Sequence, residues 1–346
     1  MLENKEKIES INLNCPIFNF LKPFNNDQFS KMKGIDLQEL ICYLDEYYLE
    51  FRSNLGLDKN DTFGIEIEAE KTNIDKIRDD INIEFYNSNW MVKEDGSLFN
   101  GAEANSPILR DIESDWLEVK KACLIFQKRA TICDRSGGHI HIGSQAIGKD
   151  IKSWLNLIKI WSIYENIIFR FSYNEKLVAR ACMDKYAEPM ALRFKKLYYV
   201  LIDKKNLDFS DIIDKIIFFE KYQAICFKNV KFNQKGCKKD TIEFRCPNGT
   251  LDPVIWQNNI NFFAKLLKYS ASNNFNDDII DKRCAINEDR YYDLKLYGEI
   301  YLDQALELAD LLFKTNLDKI YFLRQYLKNF EVYRNSGNKA KQFTKK

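Results

Sequence analysis

The sequence contains few of the residues that mark specialised classes of protein. Proline and glycine are scarce, with 6 and 13 residues in a chain of 346, which argues against a disordered or fibrous polypeptide. Neither sign of charge dominates, since 52 Lys and Arg face 51 Asp and Glu. The net charge of +1 argues against nonspecific nucleic-acid binding as the main task. We therefore expect a globular protein without a nucleic-acid partner.

The sequence predicts neither a targeting signal nor a membrane span. The first ten residues, MLENKEKIES, have no apolar core. The longest apolar stretch, residues 151–171, contains Lys152, Lys159, Glu165 and Arg170, too many charges for a membrane helix. Nine cysteines, an odd number, are irregularly spaced and form no CxxC, which predicts thiols in a reducing compartment. The expectation is a cytoplasmic protein without a membrane partner; its oligomeric state is left open.

Hydrophobic periodicity predicts an α+β fold. Alternation of apolar and polar residues predicts strands in FGIEIEAE, IEFYNSNWMV, GGHIHIGS, AICFKNVKF and DTIEFRCP. Helical spacing predicts helices over 115–130, over 151–171, near Ser210, and from Pro253 to about Tyr269. The strands have one polar face, which favours an antiparallel sheet with helices packed on the other face.

Composition divides the chain into three regions. Residues 1–60 are predicted to be a helical N-terminal segment, with apolar residues at helical spacing around Leu40. Residues 61–272 contain all the strand candidates and are predicted to be the central domain. Residues 273–346 are predicted to be a helical C-terminal extension, with helices near 299–315 and 317–331 and a basic tail. Only the middle region carries recognisable chemistry.

Three of the strand candidates carry two polar residues at positions two apart, which point to the same face of a strand. These pairs are Glu66 with Glu68, His139 with His141, and Glu243 with Arg245. Taken alone, each pair has an ordinary explanation: a solvated strand face, structural histidines, or a cross-strand ion pair. The two histidines are the only ones in the chain, which favours a functional role for both.

A fourth segment adds two more carboxylates. Asp95 begins a DGS turn signal, and Glu103 follows eight positions later, where a hairpin would return it beside the preceding acid. A face of several carboxylates, two imidazoles and an arginine is typical of a site for divalent metal and phosphate. The excess of carboxylates favours magnesium or manganese over zinc.

The four segments resemble the amidoligase family, distant relatives of glutamine synthetase in the carboxylate–amine ligase superfamily. The matching segments are FGIEIEAE, KEDGSLFNGAEANSP, SGGHIHIGS and TIEFRCPNGTLD, in the family's order, over about residues 62–270. The resemblance implies an antiparallel sheet of the glutamine synthetase catalytic-domain type. It also implies an ATP-dependent ligase that joins a carboxylate to an amine through an acyl phosphate. The implied substrates are amino acids, peptides or polyamine-like amines.

The resemblance also implies a role for each polar side chain. One divalent ion would be held against the ATP phosphates by Glu66, His139 and Glu243, and another near the substrate carboxylate by Glu68, Glu103 and Asp95. Asp95 departs from the glutamate that glutamine synthetase has at this point. The implied catalytic residues are Glu68, Glu103, Arg245 and Arg180, and the implied ATP contacts are Glu66, His141 and Arg245.

Two other functions stay open at this stage. An inactive relative would serve as a binding or structural module. A metal-dependent hydrolase is the other alternative, because His-x-His strands also occur in amidohydrolase barrels, but such sites need further histidines. The sequence has no Walker motif and no GxGxxG, so the expected ATP site depends on the resemblance.

Overall fold

The computed structural model describes residues 44, 49–173, 183–202, 222–231, 240–286 and 301–328. Contacts divide the chain into two compact units. One is Glu50–Gly298, and the other combines Met1–Leu49 with Glu299–Lys346. The predicted three-part division of the chain at residues 60 and 272 stays a prediction.

The larger unit is built on a six-stranded sheet in which every neighbouring pair is antiparallel. The strands are β1 (Phe63–Ala69), β2 (Met91–Asp95), β3 (Gly101–Asn105), β4 (Gly138–Gly143), β5 (Ile225–Cys226) and β6 (Thr241–Phe244). Their order across the sheet is β2-β3-β1-β4-β6-β5. The predicted α+β class and antiparallel sheet are therefore confirmed. Likeness to the glutamine synthetase sheet in particular stays a prediction.

Seven helices of the larger unit lie within the described residues. They are α1 (Ile74–Glu84), α2 (Glu113–Arg129), α3 (Ile151–Ser172), α4 (Met183–Tyr186), α5 (Ala191–Ile202), α6 (Pro253–Ser270) and α7 (Asp277–Ile286). The predicted helices over 115–130, 151–171 and 253–269 are confirmed, within a residue or two at their ends. Asp252 caps α6 as its sequence position indicates, since its Oδ1 accepts a hydrogen bond from the Val254 amide at 2.8 Å. The helix predicted near Ser210 lies outside the described residues.

One face of the sheet packs against helices and forms the core. Ile65 and Ile67 of β1 are buried on this face. Phe244 of β6 stacks on Trp161 of α3 and on Phe263 of α6, with ring centroids 6.1 and 4.2 Å apart. In β1 and β4 the alternating pattern thus places apolar residues in the core and turns polar residues to the other face.

The strand predicted over residues 83–92 is wrong for most of its length. Helix α1 runs to Glu84 and buries Ile77 and Ile81, one helical turn apart. Asn73 caps this helix by accepting a hydrogen bond from the Lys76 amide at 3.1 Å. The residues after Ile81 alternate between apolar and polar over a short run, as in a strand. The helix that Asn73 caps nevertheless continues through the first of them, to Glu84. Only the end of the predicted segment, from Met91, is a strand.

The smaller unit contains α8 (Leu302–Leu312) and α9 (Asn316–Tyr326), close to the helices predicted there. Between them lies an ion pair of almost fully buried side chains, in which the Lys319 Nζ lies 2.6 Å from Asp310 Oδ1. Burial opposes the charge of both partners: it raises the pKa of Asp310 to about 7 and lowers the pKa of Lys319. Each partner therefore stabilises the charged form of the other against the effect of burial.

None of the helices in the described ranges is both long enough and apolar enough to cross a membrane.

Candidate active site

The polar face of the sheet lines a cavity of about 870 Å³. Eight of the side chains that the sequence singled out line it together: Glu66, Glu68, Asp95, Glu103, His139, His141, Glu243 and Arg245. Seven of them lie on five strands, and Arg245 directly follows β6. Glu66 and Arg245, the first and last of the eight, are 179 residues apart in the chain. The sheet therefore brings the predicted groups into one concave site. Arg180, the ninth, lies outside the described residues.

Strand register arranges these side chains in rows that run across the sheet. In one row, Lys93 on β2 is paired with Glu103 on β3, which is paired with Glu68 on β1. In the next row Glu66 is paired with His139 of β4. A third row pairs His141 with Glu243 of β6. Directly opposed residues on neighbouring strands have their Cβ atoms about 5 Å apart, so each row brings charged groups into contact.

Glu66 lies between the two histidines. Its Oε2 is 2.9 Å from His139 Nδ1, and its Oε1 is 3.0 Å from His141 Nε2, so the carboxylate accepts a hydrogen bond on each oxygen. Burial alone would raise the pKa of Glu66. The hydrogen bonds and charges of the two imidazoles outweigh burial and hold that pKa far below its ordinary value. Glu66 is thus held as an anion.

Glu68 and Glu103 are buried carboxylates with fixed orientations. Glu68 accepts a hydrogen bond from the Gly137 amide at 2.6 Å. Glu103 accepts one from the Asn105 side-chain amide at 2.6 Å and pairs with the Lys93 ammonium at 2.8 Å. Burial and the nearby charge of Glu66 raise the pKa of Glu103, against the lowering effect of Lys93 and Asn105. A cation bound beside Glu103 would therefore stabilise its charged form.

Asp95 approaches the same carboxylates from the end of β2. Its Oδ1 accepts hydrogen bonds from the amide and the hydroxyl of Ser97, at 2.7 and 2.6 Å. The hairpin predicted between Asp95 and Glu103 is confirmed by the pairing of β2 with β3. Its turn is held by Glu70, which the sequence reasoning missed and whose Oε1 accepts a hydrogen bond from the Phe99 amide at 3.1 Å. The signal was present, because Glu70 continues the alternation of Glu66 and Glu68.

Arg245 is fixed by three neighbours at the other side of the cavity. Its guanidinium donates a hydrogen bond to Glu243 Oε1, and its Nε donates another to the Tyr186 carbonyl at 3.1 Å. The guanidinium also lies 5.7 Å from the centre of the Tyr222 ring. Tyr186 and Tyr222 meet edge to face, with centroids 5.6 Å apart. An arginine fixed in this way presents a preorganised positive charge to an anion in the cavity.

The donor groups form two sets that fit divalent ions. One ligand atom each from Glu66, His141 and Glu243 lie within 4.8 Å of one another, and so do those of Glu68, Asp95 and Glu103. The all-carboxylate set suits a hard cation such as magnesium or manganese, and the set of two carboxylates and an imidazole can also hold a divalent ion. The second set has the members predicted from the sequence. The first contains His141, which the sequence assigned to nucleotide or phosphate.

His139 lies between the two sets. Its Nδ1 is 2.9 Å from Glu66 Oε2, 3.4 Å from Glu68 Oε1 and 4.0 Å from Glu243 Oε1. It therefore touches both groups of carboxylates, and its assignment to the ion of Glu66 and Glu243 stays a prediction. The cavity also contains residues that the sequence reasoning did not single out, among them Lys93, Arg135, Cys226 and Asn229. Lys93 alone carried a signal, because strand alternation places it on the same face as Asp95.

We expect Glu66→Gln to lower stability in a way that depends on pH. A carboxylate whose pKa is lowered in the folded state contributes stability that is present above its unfolded pKa and is lost as pH falls. At pH 7 the variant should lose about 1–3 kcal/mol of unfolding free energy. Below the ordinary glutamate pKa of 4.5 the difference from wild type should shrink. Urea unfolding in EDTA at several pH values measures this difference, and an equal loss at pH 7 and pH 3 would contradict it.

A comparison with known protein families gives a match over much of the chain. A family model described as "Putative amidoligase enzyme" matches residues 86–267, more than half of the chain. The matched region contains Asp95, Glu103, both histidines and the Glu243–Arg245 pair. No curated protein matches the chain.

Proposed function

The chain belongs to the amidoligase family, and from this premise we propose that it joins a carboxylate to an amine at the expense of ATP. The observation that carries the proposal is the convergence of five carboxylates, two imidazoles and Arg245 on one cavity. Carboxylates in such numbers repel one another unless cations accompany them. Divalent ions and nucleotide phosphates together supply the charges that complement this set. On this proposal the sheet is of the glutamine synthetase catalytic type.

The proposed chemistry has two steps. An oxygen of the substrate carboxylate forms a bond to the γ-phosphorus of ATP, the bond from that phosphorus to the bridging oxygen breaks, and ADP leaves. The amine nitrogen then bonds to the acyl carbon of the resulting acyl phosphate, and the carbon–oxygen bond to phosphate breaks. The amine loses a proton in this step. A carboxylate of the cluster would accept this proton.

The side chains described above fit the charges of these steps. Magnesium or manganese ions, when bound, would neutralise charge on the phosphate oxygens. The residues that would hold them are Glu66, Glu243 and a histidine in one set, and Glu68, Asp95 and Glu103 in the other. Arg245, fixed by Glu243 and Tyr186, is placed to offset charge on the transferred phosphoryl group. We propose the same role for Arg180 on the strength of the family resemblance.

The function is tested by assaying ADP release with magnesium against panels of amino acids, peptides and polyamines. We expect ADP to form only when an acid substrate is present, and a product whose mass equals acid plus amine less one water. Hydroxylamine in place of the amine should trap the acyl phosphate as a hydroxamate. Hydrolysis of amides without ATP would indicate the hydrolase instead. Absence of both nucleotide and ion binding by calorimetry would leave a non-catalytic module.

A further inference from the structure

Lys93 stands at the end of the row formed with Glu103 and Glu68. It lies on β2, the edge strand of the sheet, and its Cα is paired with that of Glu103. Strand alternation turns Lys93 to the same face as Asp95, and both line the cavity. Its ammonium is therefore directed at the carboxylate set that would hold one of the two ions.

The pair between Lys93 and Glu103 is asymmetric. The Lys93 Nζ lies 2.8 Å from Glu103 Oε1, yet the lysine side chain is 56% exposed while the glutamate side chain is only 8% exposed. Glu103 is fixed further by the Asn105 amide on the same oxygen. A lysine side chain is a flexible stem with a charged end, so the ammonium can move into solvent without disturbing the strand. The Glu103 carboxylate stays in place, because it is buried and bonded to Asn105.

A divalent ion bound by Glu68, Asp95 and Glu103 would share Glu103 with this ammonium. The three carboxylates carry three negative charges, and the ammonium offsets one of them before an ion arrives. Two positive charges a few ångströms apart repel each other, and the repulsion is stronger at a partly buried site than in water. Binding of the ion therefore works against the Lys93–Glu103 pair.

We propose that Lys93 is a tethered counter-ion: it neutralises and orients Glu103 while no ion is bound, and it competes with a divalent ion for that carboxylate. This inference rests on the proposed function, because it takes the set of Glu68, Asp95 and Glu103 as an ion site. Lys93 is a positioning residue here. Its effect is to weaken binding at one of the two ion sites, compared with the same site without the ammonium.

The test is a titration of the full chain with manganese, followed by calorimetry and by electron paramagnetic resonance of the free ion. Lys93→Met should tighten one class of manganese sites about tenfold and change the other less than about twofold. Lys93→Arg keeps the charge and should resemble wild type. Lys59→Met removes an exposed lysine outside the cavity and should also resemble wild type.

A double-mutant cycle with Glu103→Gln assigns the effect to the pair. In the Glu103→Gln background, Lys93→Met should change manganese affinity less than about twofold. If Lys93→Met leaves the manganese affinity of both classes of site unchanged or lowers it, this inference is wrong and the proposed function still stands. The same holds if Lys93→Met changes the affinity equally in the wild-type and Glu103→Gln backgrounds. If neither wild type nor Lys93→Met binds manganese, the proposed function fails together with the inference. Circular dichroism of each variant checks that it is folded.

Discussion

Glu243→Gln is expected to lose ligase turnover by about a thousandfold or more while the chain stays folded. The substitution keeps the shape of the side chain and removes its charge. Glu243 is buried, its Cα is paired with that of His141, and it receives a hydrogen bond from Arg245. Its loss would weaken one proposed ion set and the pairing that orients Arg245, to which we assign the charge of the transferred phosphoryl group. Because two functions fail together, the effect should exceed that of a single lost hydrogen bond.

Glu94→Gln is the matched control for this experiment. Glu94 is an exposed glutamate on β2, and alternation turns it to the face opposite Lys93 and Asp95. It does not line the cavity. We expect its turnover to stay within about twofold of wild type, because surface substitutions of this kind have small effects. The measurement is ADP release with saturating ATP, and near-ultraviolet circular dichroism reports the fold. Turnover retained in a folded Glu243→Gln variant would count against the ligase.

Asp310→Ala is expected to destabilise the smaller unit by about 3–5 kcal/mol. The alanine removes the Asp310 carboxylate, which contacts the buried Lys319 ammonium. Removal of one partner of a buried pair costs far more than the pair itself contributes, because the remaining charge has lost its solvent and its counter-charge. Replacement of both partners, as in Asp310→Leu with Lys319→Met, should therefore recover most of the loss.

The readout has to report on the smaller unit. All five tryptophans lie between Trp90 and Trp256, within the larger unit, so their fluorescence is the wrong signal. Hydrogen exchange of peptides from residues 301–328, measured by mass spectrometry, reports the stability of α8 and α9 directly. Exchange should rise in Asp310→Ala and return towards wild type in the double variant. A double variant as unstable as Asp310→Ala would show that packing, rather than the stranded charge, causes the loss.

The sequence predicted correctly those helices and strands whose apolar residues repeat with a clear helical or strand period. The alternation in β1 and β4 and the helical spacing in α2, α3 and α6 gave correct elements, because each buries a continuous apolar face. It failed where the local pattern was short. Residues 83–92 imitated a strand, and α7 was missed because its apolar residues form only a short stripe in a polar segment. Tertiary packing decides such segments.

The site followed from residue chemistry, but its geometry did not. The sequence singled out the carboxylates, the histidines and Arg245, and the cavity contains all of them. Their neighbours depend on the order of the strands, in which β6 lies beside β4 although about 100 residues separate them. Pairings such as His141 with Glu243 or Lys93 with Glu103 depend on register, which no single segment specifies.

The strict alternation of β1 limits how this chain can change in length. Ile65 and Ile67 enter the core, while Glu66 and Glu68 enter the cavity. One residue inserted before Ile65, with the pairing to β3 and β4 kept, would exchange the two sets, because side chains on a strand repeat every two residues. Carboxylates would then enter the apolar core, and isoleucines would line the cavity. Gains and losses of residues in natural variants should therefore fall in the connecting segments, and the strands should vary by substitution alone.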